Sequence, residues 1–286
     1  MDKAFKNMYI YCKVIAVNVK IEYSEAVGMT LYGHQLTHVK TLPFLSVVTP
    51  VAGHYEVTVD EKGPFIVRPG CCFVAPPDVV QHIVHHQPEV GQMQAKWVFI
   101  KATIDELVDF SGYFDVPVYL DEQASRSVIS SIDQMLTLDG SDRSEIKRHA
   151  LAFFILSELS SGASVRGYSS DYSTIAPALK LIFSRLDSDL SVHLLAMTCG
   201  MSDANFYRLF KNATGETPHA FVRKKRLSKA CSILLTTNLK LYDIAMQTGF
   251  TDEFHLSREF KKGYGDSPYR YKKSLEGAYQ KTHEIL

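Results

Sequence analysis

Several protein classes are excluded by what this chain lacks. No apolar run approaches the roughly 20 residues needed to cross a bilayer; the longest are of the kind Leu151-Ala-Phe-Phe-Ile-Leu156. The start, Met1-Asp-Lys-Ala-Phe-Lys, has no signal-peptide core. Five cysteines, an odd number without framework spacing, argue against a disulfide scaffold and for a reducing cytoplasm. Cys71-Cys72 reads most simply as a strand pair with one side chain in the core. Net charge is also missing, but the zero is a cancellation. Residues 172–286 carry 17 Lys+Arg against 11 Asp+Glu, a net of +6, and residues 1–171 carry 14 against 20, a net of −6. A basic second half points toward nucleic acid. With 46% apolar and 22% charged residues over 286 positions, the chain is an ordinary globular protein of two or three domains.

A unit in the basic half is written twice. Ala196-Met-Thr-Cys-Gly200-Met-Ser-Asp203 recurs as Ala245-Met-Gln-Thr-Gly249-Phe-Thr-Asp252, offset by 49 residues. Phe210-Lys211 with Gly215-Glu-Thr-Pro218 recurs as Phe260-Lys261 with Gly265-Asp-Ser-Pro268, offset by 50. Such repetition signals a duplicated supersecondary unit. Each copy reads as helix, glycine turn, helix. Gly200 takes the left-handed conformation that ends a helix, Ser202 is placed to cap the next one, and Asp203 suits its dipole. Phe206, Leu209 and Phe210 form an apolar stripe. The other face carries Ala204, Asn205, Tyr207, Arg208 and Lys211, groups suited to base edges and phosphates. In the second copy Leu256 and Phe260 form the stripe; His255, Ser257, Arg258 and Lys261 are free to face outward, and Phe254 is ambiguous. A connecting helix, Pro218 to Leu235, carries the basic run Arg223-Lys224-Lys225-Arg226, whose place between two recognition helices points to phosphate contact, with Arg223 and Lys224 as its DNA-binding candidates. A single amphipathic pair would be a surface helix; two matching copies suggest a reader of two successive DNA segments.

The segment Ile244-Ala-Met-Gln-Thr-Gly-Phe-Thr-Asp-Glu-Phe-His-Leu-Ser-Arg-Glu-Phe-Lys-Lys-Gly-Tyr-Gly-Asp-Ser-Pro268 resembles the signature of AraC/XylS-type transcription regulators. The resemblance runs from about Thr174 to Lys273. It implies seven helices in two subdomains, with recognition helices at Ser202–Lys211 and Asp252–Lys261 entering successive major grooves, about 34 Å apart. One departure is Tyr271-Lys272 where the family has tyrosine-arginine; lysine loses the bidentate fork. Arg208, with Asn205 and Tyr207, is expected to read bases. Arg258 stands beside Glu253 and Glu259, whose charges repel phosphate, so the second copy is expected to add less affinity.

The first half has another texture. From Tyr9 to about Ile104 it is rich in Val, Ile, Tyr and Phe, with strands expected at Tyr9–Val19, Tyr55–Val59, Phe65–Arg68, Cys71–Val74 and Lys96–Ala102. Strands in succession without helices suggest a sandwich or barrel. Arg68-Pro-Gly-Cys-Cys-Phe-Val-Ala-Pro-Pro-Asp-Val-Val-Gln-His82 resembles the second motif of cupins, which implies that His82 points into a jelly-roll barrel. The region of the first cupin motif, Ser46–Gly53, has no histidine pair or glutamate. Metal would need improvised ligands from His34, His38, His54, His82, His85 and His86, so no cofactor is expected and a small organic effector is the better reading. Tyr32, His34, His54, His82 and Trp97 are the candidates to line its pocket.

Helices are expected at Glu122–Leu136 and at Ser144–Leu159, capped by Ser144, covering the barrel on one face and, as the resemblance implies, pairing two subunits. The Ser/Gly stretch within residues 160–170 reads as a flexible linker. The expected fold is therefore α+β multidomain: a cupin-like barrel with two helices (residues 1–160), a linker (161–172), and an all-α double helix-turn-helix domain (173–286). The expected protein is a cytoplasmic, non-enzymatic, homodimeric regulator that binds double-stranded DNA under effector control, with RNA polymerase as a further partner and no membrane contact. Two alternatives stand beside it. A cupin-type metalloenzyme would need converging metal ligands; a constitutive DNA-binding protein would have a barrel that only dimerises, without a polar-lined pocket.

Overall fold

The computed structural model describes residues 18–31, 37–139, 141–166 and 170–279. Eight strands lead: β1 (Val19–Leu31), β2 (Thr37–Thr41), β3 (Leu45–Ala52), β4 (His54–Val59), β5 (Lys62–Val67), β6 (Cys72–Ala75), β7 (Val80–His86) and β8 (Met93–Ile104). There follow β9 (Val108–Asp109), α1 (Phe110–Tyr113), β10 (Phe114–Asp115), β11 (Tyr119–Leu120), α2 (Glu122–Leu136), α3 (Asp142–Ser161) and β12 (Ser164–Val165). The remainder is helical: α4 (Ser170–Ser184), α5 (Val192–Thr198), α6 (Asp203–Thr214), α7 (Pro218–Thr236), α8 (Leu241–Gln247), α9 (Glu253–Tyr264) and α10 (Pro268–Tyr279).

One antiparallel sheet runs β1-β8-β3-β6-β11 and a second runs β2-β7-β4-β5. Side-chain alternation assigns the faces. On β8, Met93, Ala95, Trp97 and Phe99 join Tyr55, Val57 and Ile83 of the second sheet in one core. The alternate residues Val98, Ile100, Ala102 and Ile104 meet Val128 and Ile132 of α2 and Ile155, Leu156 and Leu159 of α3. The first sheet is thus buried on both sides. The fold class stands as expected: an antiparallel β domain with two helices, then a helical region.

Sequence patterning found α2 at its full extent, but α3 starts earlier than Ser144. Ser141 is its cap, its hydroxyl accepting from the Ser144 N–H at 3.4 Å. Ile146, Phe153 and Phe154 of α3 are exposed, so only the Ala152, Ile155, Leu156 and Leu159 stripe covers the sheet. The strand expected at Tyr9–Val19 lies outside the described residues except for its end. Strands β2 and β3, and β1 beyond Val19, are additional to those expected. The expected linker is tied down in its middle: Ser164–Val165 pairs with Phe114–Asp115, and Arg166 meets Asp115 at 2.5 Å.

The β domain and the helical region touch. The core between the two sheets continues into Ala230, Cys231, Leu234, Phe260, Tyr271 and Leu275 of the second helix-turn-helix unit. The Tyr271 hydroxyl donates to the Thr41 carbonyl.

Candidate nucleic-acid interface

The two copies share more than sequence. In the first, α5 is capped by Ser191, whose hydroxyl accepts from the Leu194 N–H at 3.2 Å. Gly200 turns the chain at φ +66°, and the Met201 N–H returns to the Ala196 carbonyl at 3.1 Å. In the second, Gly249 turns at φ +75° and the Phe250 N–H returns to the Ala245 carbonyl at 3.0 Å. The same bond, 49 residues on, closes both turns. Both recognition helices, α6 and α9, end at left-handed Gly215 and Gly265. Their starts differ. Asp252 accepts from the His255 N–H at 2.7 Å, whereas the Ser202 side chain sits at the cap position without a capping bond. The Ser202 hydroxyl therefore adds no capping bond.

Packing fixes which face each helix shows. Phe206 and Phe210 are fully buried, and Phe210 meets Phe221 of α7 edge-on at 5.3 Å. Leu256 and Phe260 are buried likewise, Phe260 against Tyr271 at 5.5 Å. That leaves Ala204, Asn205, Tyr207, Arg208 and Lys211 of α6 exposed together. Arg208 already donates to the Asn205 amide oxygen at 3.0 Å, which pre-orients both. On α9, Arg258 and Lys261 are exposed, Ser257 is half-buried, and Phe254, ambiguous from sequence, is 70% exposed. His255 is half-buried, its ring edge-on to Phe250 and its Nδ1 3.1 Å from the Thr251 hydroxyl.

Glu259 is engaged by cations of the protein itself. Its side chain is 12% exposed, accepts from Lys262 at 2.6 Å, and lies 3.7 Å from Arg223. The bond from Lys262 holds its carboxyl below the usual range. The Glu259 charge is thus balanced within the protein, while Glu253, half-buried, forms no ion pair among the described residues.

The basic run on α7 splits. Arg223 and Lys224 are exposed, Lys224 pairing with Glu216 at 2.8 Å. Arg226 turns inward and donates to the carbonyls of Leu186 at 2.8 Å and Ser188 at 2.6 Å. A side chain on Gly249 would come within 2.3 Å of that Leu186 oxygen and 2.7 Å of Arg226 Nε, so glycine is required there by close approach as well as by φ. Arg226 thereby bolts the first unit to the turn of the second. Lys225 also leaves solvent. It meets Asp109 of the β domain at 2.6 Å, with side chains 15% and 25% exposed. Burial alone would raise the Asp109 carboxyl; Lys225 outweighs it and the net shift is downward. Burial would likewise lower Lys225, and Asp109 and Asp78 outweigh it upward. Of the basic run, the two residues named for DNA contact, Arg223 and Lys224, are the two that stay exposed. The partners were invisible in sequence at a separation of 116 residues. A signal for burial was present, since Lys225 follows the buried Phe221 by four positions on one helix face.

Lys272 donates to the Thr237 carbonyl at 2.8 Å, a structural task consistent with its lacking the fork. Over the 19 residues of α7 the axial rise is roughly 28 Å at 1.5 Å per residue, a rigid spacer between the two cores.

The effector candidates separate cleanly. Trp97 lines a cavity of about 160 Å³ with Tyr23, Val27, Leu42, Phe44 and Phe99, its other wall formed by Leu235, Thr236, Lys272 and Leu275 of the helical region. His82 is exposed on the outer face of β7, and His54 stacks on His86 at 4.4 Å on that same outer side. The orientation implied for His82 is therefore corrected: Gln81, Ile83 and His85 take the inner face. Tyr32 and His34 lie outside the described residues. Among the described residues no group of three or more His, Cys, Asp or Glu is placed to hold a metal, and no helix is long and apolar enough to cross a membrane.

A profile of the Helix-turn-helix domain family matches residues 195–274. The transcriptional activator NphR of Rhodococcus sp is 39% identical over 87 residues, 30% of this chain and 26% of NphR. The transcriptional regulator Rob of Salmonella typhimurium is 36% identical over 91 residues, 32% of each chain. The chain spans about a quarter to a third of the length of these curated relatives. Among solved structures, unsaturated fatty acid bound ToxT from Vibrio cholerae matches with a TM-score of 0.54 at 13% identity, over 89% of this chain and 96% of ToxT. At that identity the likeness establishes fold, across both halves. Residues 195–274 of this chain are a helix-turn-helix domain of the AraC/XylS type.

Proposed function

We propose that the chain is a sequence-specific DNA-binding transcription regulator, not an enzyme, whose grip on DNA is set by a small molecule bound in the β domain. One observation carries the reading. Two helix-turn-helix units with the same turn bond present polar, cationic helix faces from a single rigid connector. The cavity around Trp97 supports effector control, because its wall is shared by the β domain and the second unit. A molecule that fits one arrangement of that junction better than another shifts the population between them. The exposed Ile146, Phe153 and Phe154 of α3 offer an apolar face for a second copy, which would give a homodimer on paired sites.

The test is selection of duplexes from a random pool by the full chain, followed by affinity measurements across salt. A preferred sequence bound well above random DNA, with affinity falling steeply as salt rises, is expected. Binding to no duplex would sink the reading. An effector must also obey linkage: operator DNA changes its affinity by the factor by which it changes operator affinity. A ligand without that reciprocity leaves contact with RNA polymerase as the regulatory route.

A further inference from the structure

The two recognition helices are alike in phase and differ in where they carry an aromatic ring. Both α6 and α9 run for 12 residues to a left-handed glycine, Gly215 and Gly265, so they correspond at an offset of 50. The extra residue of the second copy therefore falls in the turn before α9. On α6, Ala204, Tyr207, Arg208 and Lys211 stand at i, i+3, i+4 and i+7; on α9 the same places hold Phe254, Ser257, Arg258 and Lys261. In each helix this stripe lies opposite the buried pair, Phe206 with Phe210 or Leu256 with Phe260. The arginine and the lysine are common to both stripes. The ring is not: α6 carries it one turn in, as Tyr207, and α9 carries it in the first turn, as Phe254.

Phe254 is 70% exposed, and a single exposed apolar side chain asks for no explanation by itself. Its setting does. The backbone around it is fixed, because Asp252 caps the helix by accepting from the His255 N–H at 2.7 Å and the His255 ring is held edge-on to Phe250. A phenyl ring thus stands outward from a rigid first turn. In a helix-turn-helix unit the N-terminal residues of the recognition helix meet base edges in the major groove. That turn begins with the acids Asp252 and Glu253 and holds no lysine or arginine, so its contact with DNA falls to the ring.

We propose that Phe254 reads a thymine methyl in the half-site beneath α9. This rests on the DNA-binding reading above and names a base that the second unit selects. The choice of base follows from what the groove offers. Thymine alone presents a methyl there; the edges of adenine, guanine and cytosine present amino, carbonyl or ring-nitrogen groups, which would lose water under a phenyl ring and gain no bond. Arg258, one turn further along the same stripe, is left to a neighbouring guanine or phosphate.

The test uses the full chain and the operator selected from the random pool. Each thymine in turn is replaced by deoxyuridine, which removes the methyl and leaves base pairing unchanged. One replacement, or two at adjacent steps, is expected to weaken binding about fourfold, the contribution of one buried methyl. Phe254→Ala gives α9 the residue that α6 has in the same place. In that variant the deoxyuridine loss should vanish and operator affinity should fall about tenfold. Affinity for random DNA and the salt slope should hold, since no charge is removed. A deoxyuridine loss that persists in Phe254→Ala would overturn the assignment, as would an equal loss on operator and random DNA or an operator indifferent to every thymine methyl. The broader reading fails separately. It falls if no duplex is preferred, whereas a preferred operator whose thymines can all lose their methyls leaves DNA recognition standing and removes Phe254 as the reader.

Discussion

Asp109→Asn removes the charge through which the β domain holds the connector helix, and its cost follows from the geometry. The Lys225 ammonium is 2.6 Å from the Asp109 carboxylate and lies over the rings of Phe183 and Phe221, at 5.5 and 5.6 Å. Deleting one partner of a buried pair costs about 3–5 kcal/mol, chiefly because the other charge is left stranded. Both side chains retain some solvent contact, which brings the expectation down to about 2–3 kcal/mol. Asp78 cannot stand in fully, since burial pushes its own carboxyl up. Adding Lys225→Met removes the stranded charge and places an aliphatic chain between two aromatic rings, so the double variant should recover at least half of the loss. The assay is the urea midpoint of the full chain, followed by Trp97 emission and far-ultraviolet dichroism together. Asp115→Asn serves as control, because its partner Arg166 is about half exposed and no measurable loss is expected. Equal midpoints for the two single variants, or a double variant no better than Asp109→Asn alone, would refute the reasoning. The pH dependence has a fixed sign. A carboxyl lowered in the folded state contributes stability at neutral pH that is lost as pH falls through its folded value. The clasp should therefore weaken only under acid, below the ordinary carboxylate range.

Arg208→Ala and Arg258→Ala should weaken operator binding comparably, by about 1–3 kcal/mol each if each reads a guanine, or by about one unit of salt slope if each holds a phosphate. A silent Arg258 variant would show that neutralising Glu259 does not free the second helix for DNA. Gly200→Ala and Gly249→Ala test close approach apart from backbone strain. Both positions are left-handed, but a new methyl at Gly200 meets open space while one at Gly249 meets the Leu186 carbonyl. The first should cost about 1 kcal/mol and the second clearly more; equal losses in thermal melts would remove the bolt assigned to Arg226. Ile146→Glu with Phe153→Glu should leave the melting temperature nearly unchanged and shift sedimentation from dimer to monomer; an unchanged sedimentation coefficient removes α3 from any subunit interface.

The helical half was legible because its information is local. A glycine at the turn, an apolar pair four residues apart and a capping aspartate lie within one window, and the second copy repeats the test independently. Misreadings there came from side chains that look outward by type but not by phase. Lys225 was read within a basic run by charge, although its distance from Phe221 and Val222 puts it on the buried stripe. Glu259 was counted as a repellent charge because its cations, Lys262 and Arg223, come one from the next turn and one from another helix.

The β half yields less because strand phase is a single choice that inverts everything. Val80 to His86 holds three histidines on two faces, and shifting the phase by one residue exchanges His82 for His85. The choice is made by cross-strand partners far away in sequence: Val57 opposite Ile83, Tyr55 opposite His85, Lys40 opposite Gln81. Ile83 is the deciding residue, since its apolar side chain belongs between the sheets and carries Gln81 and His85 inward with it. The phase that hydrophobic burial selects is thus also the one that places an unpaired amide and an unpaired imidazole inside, and the fold alone gives them nothing to bond.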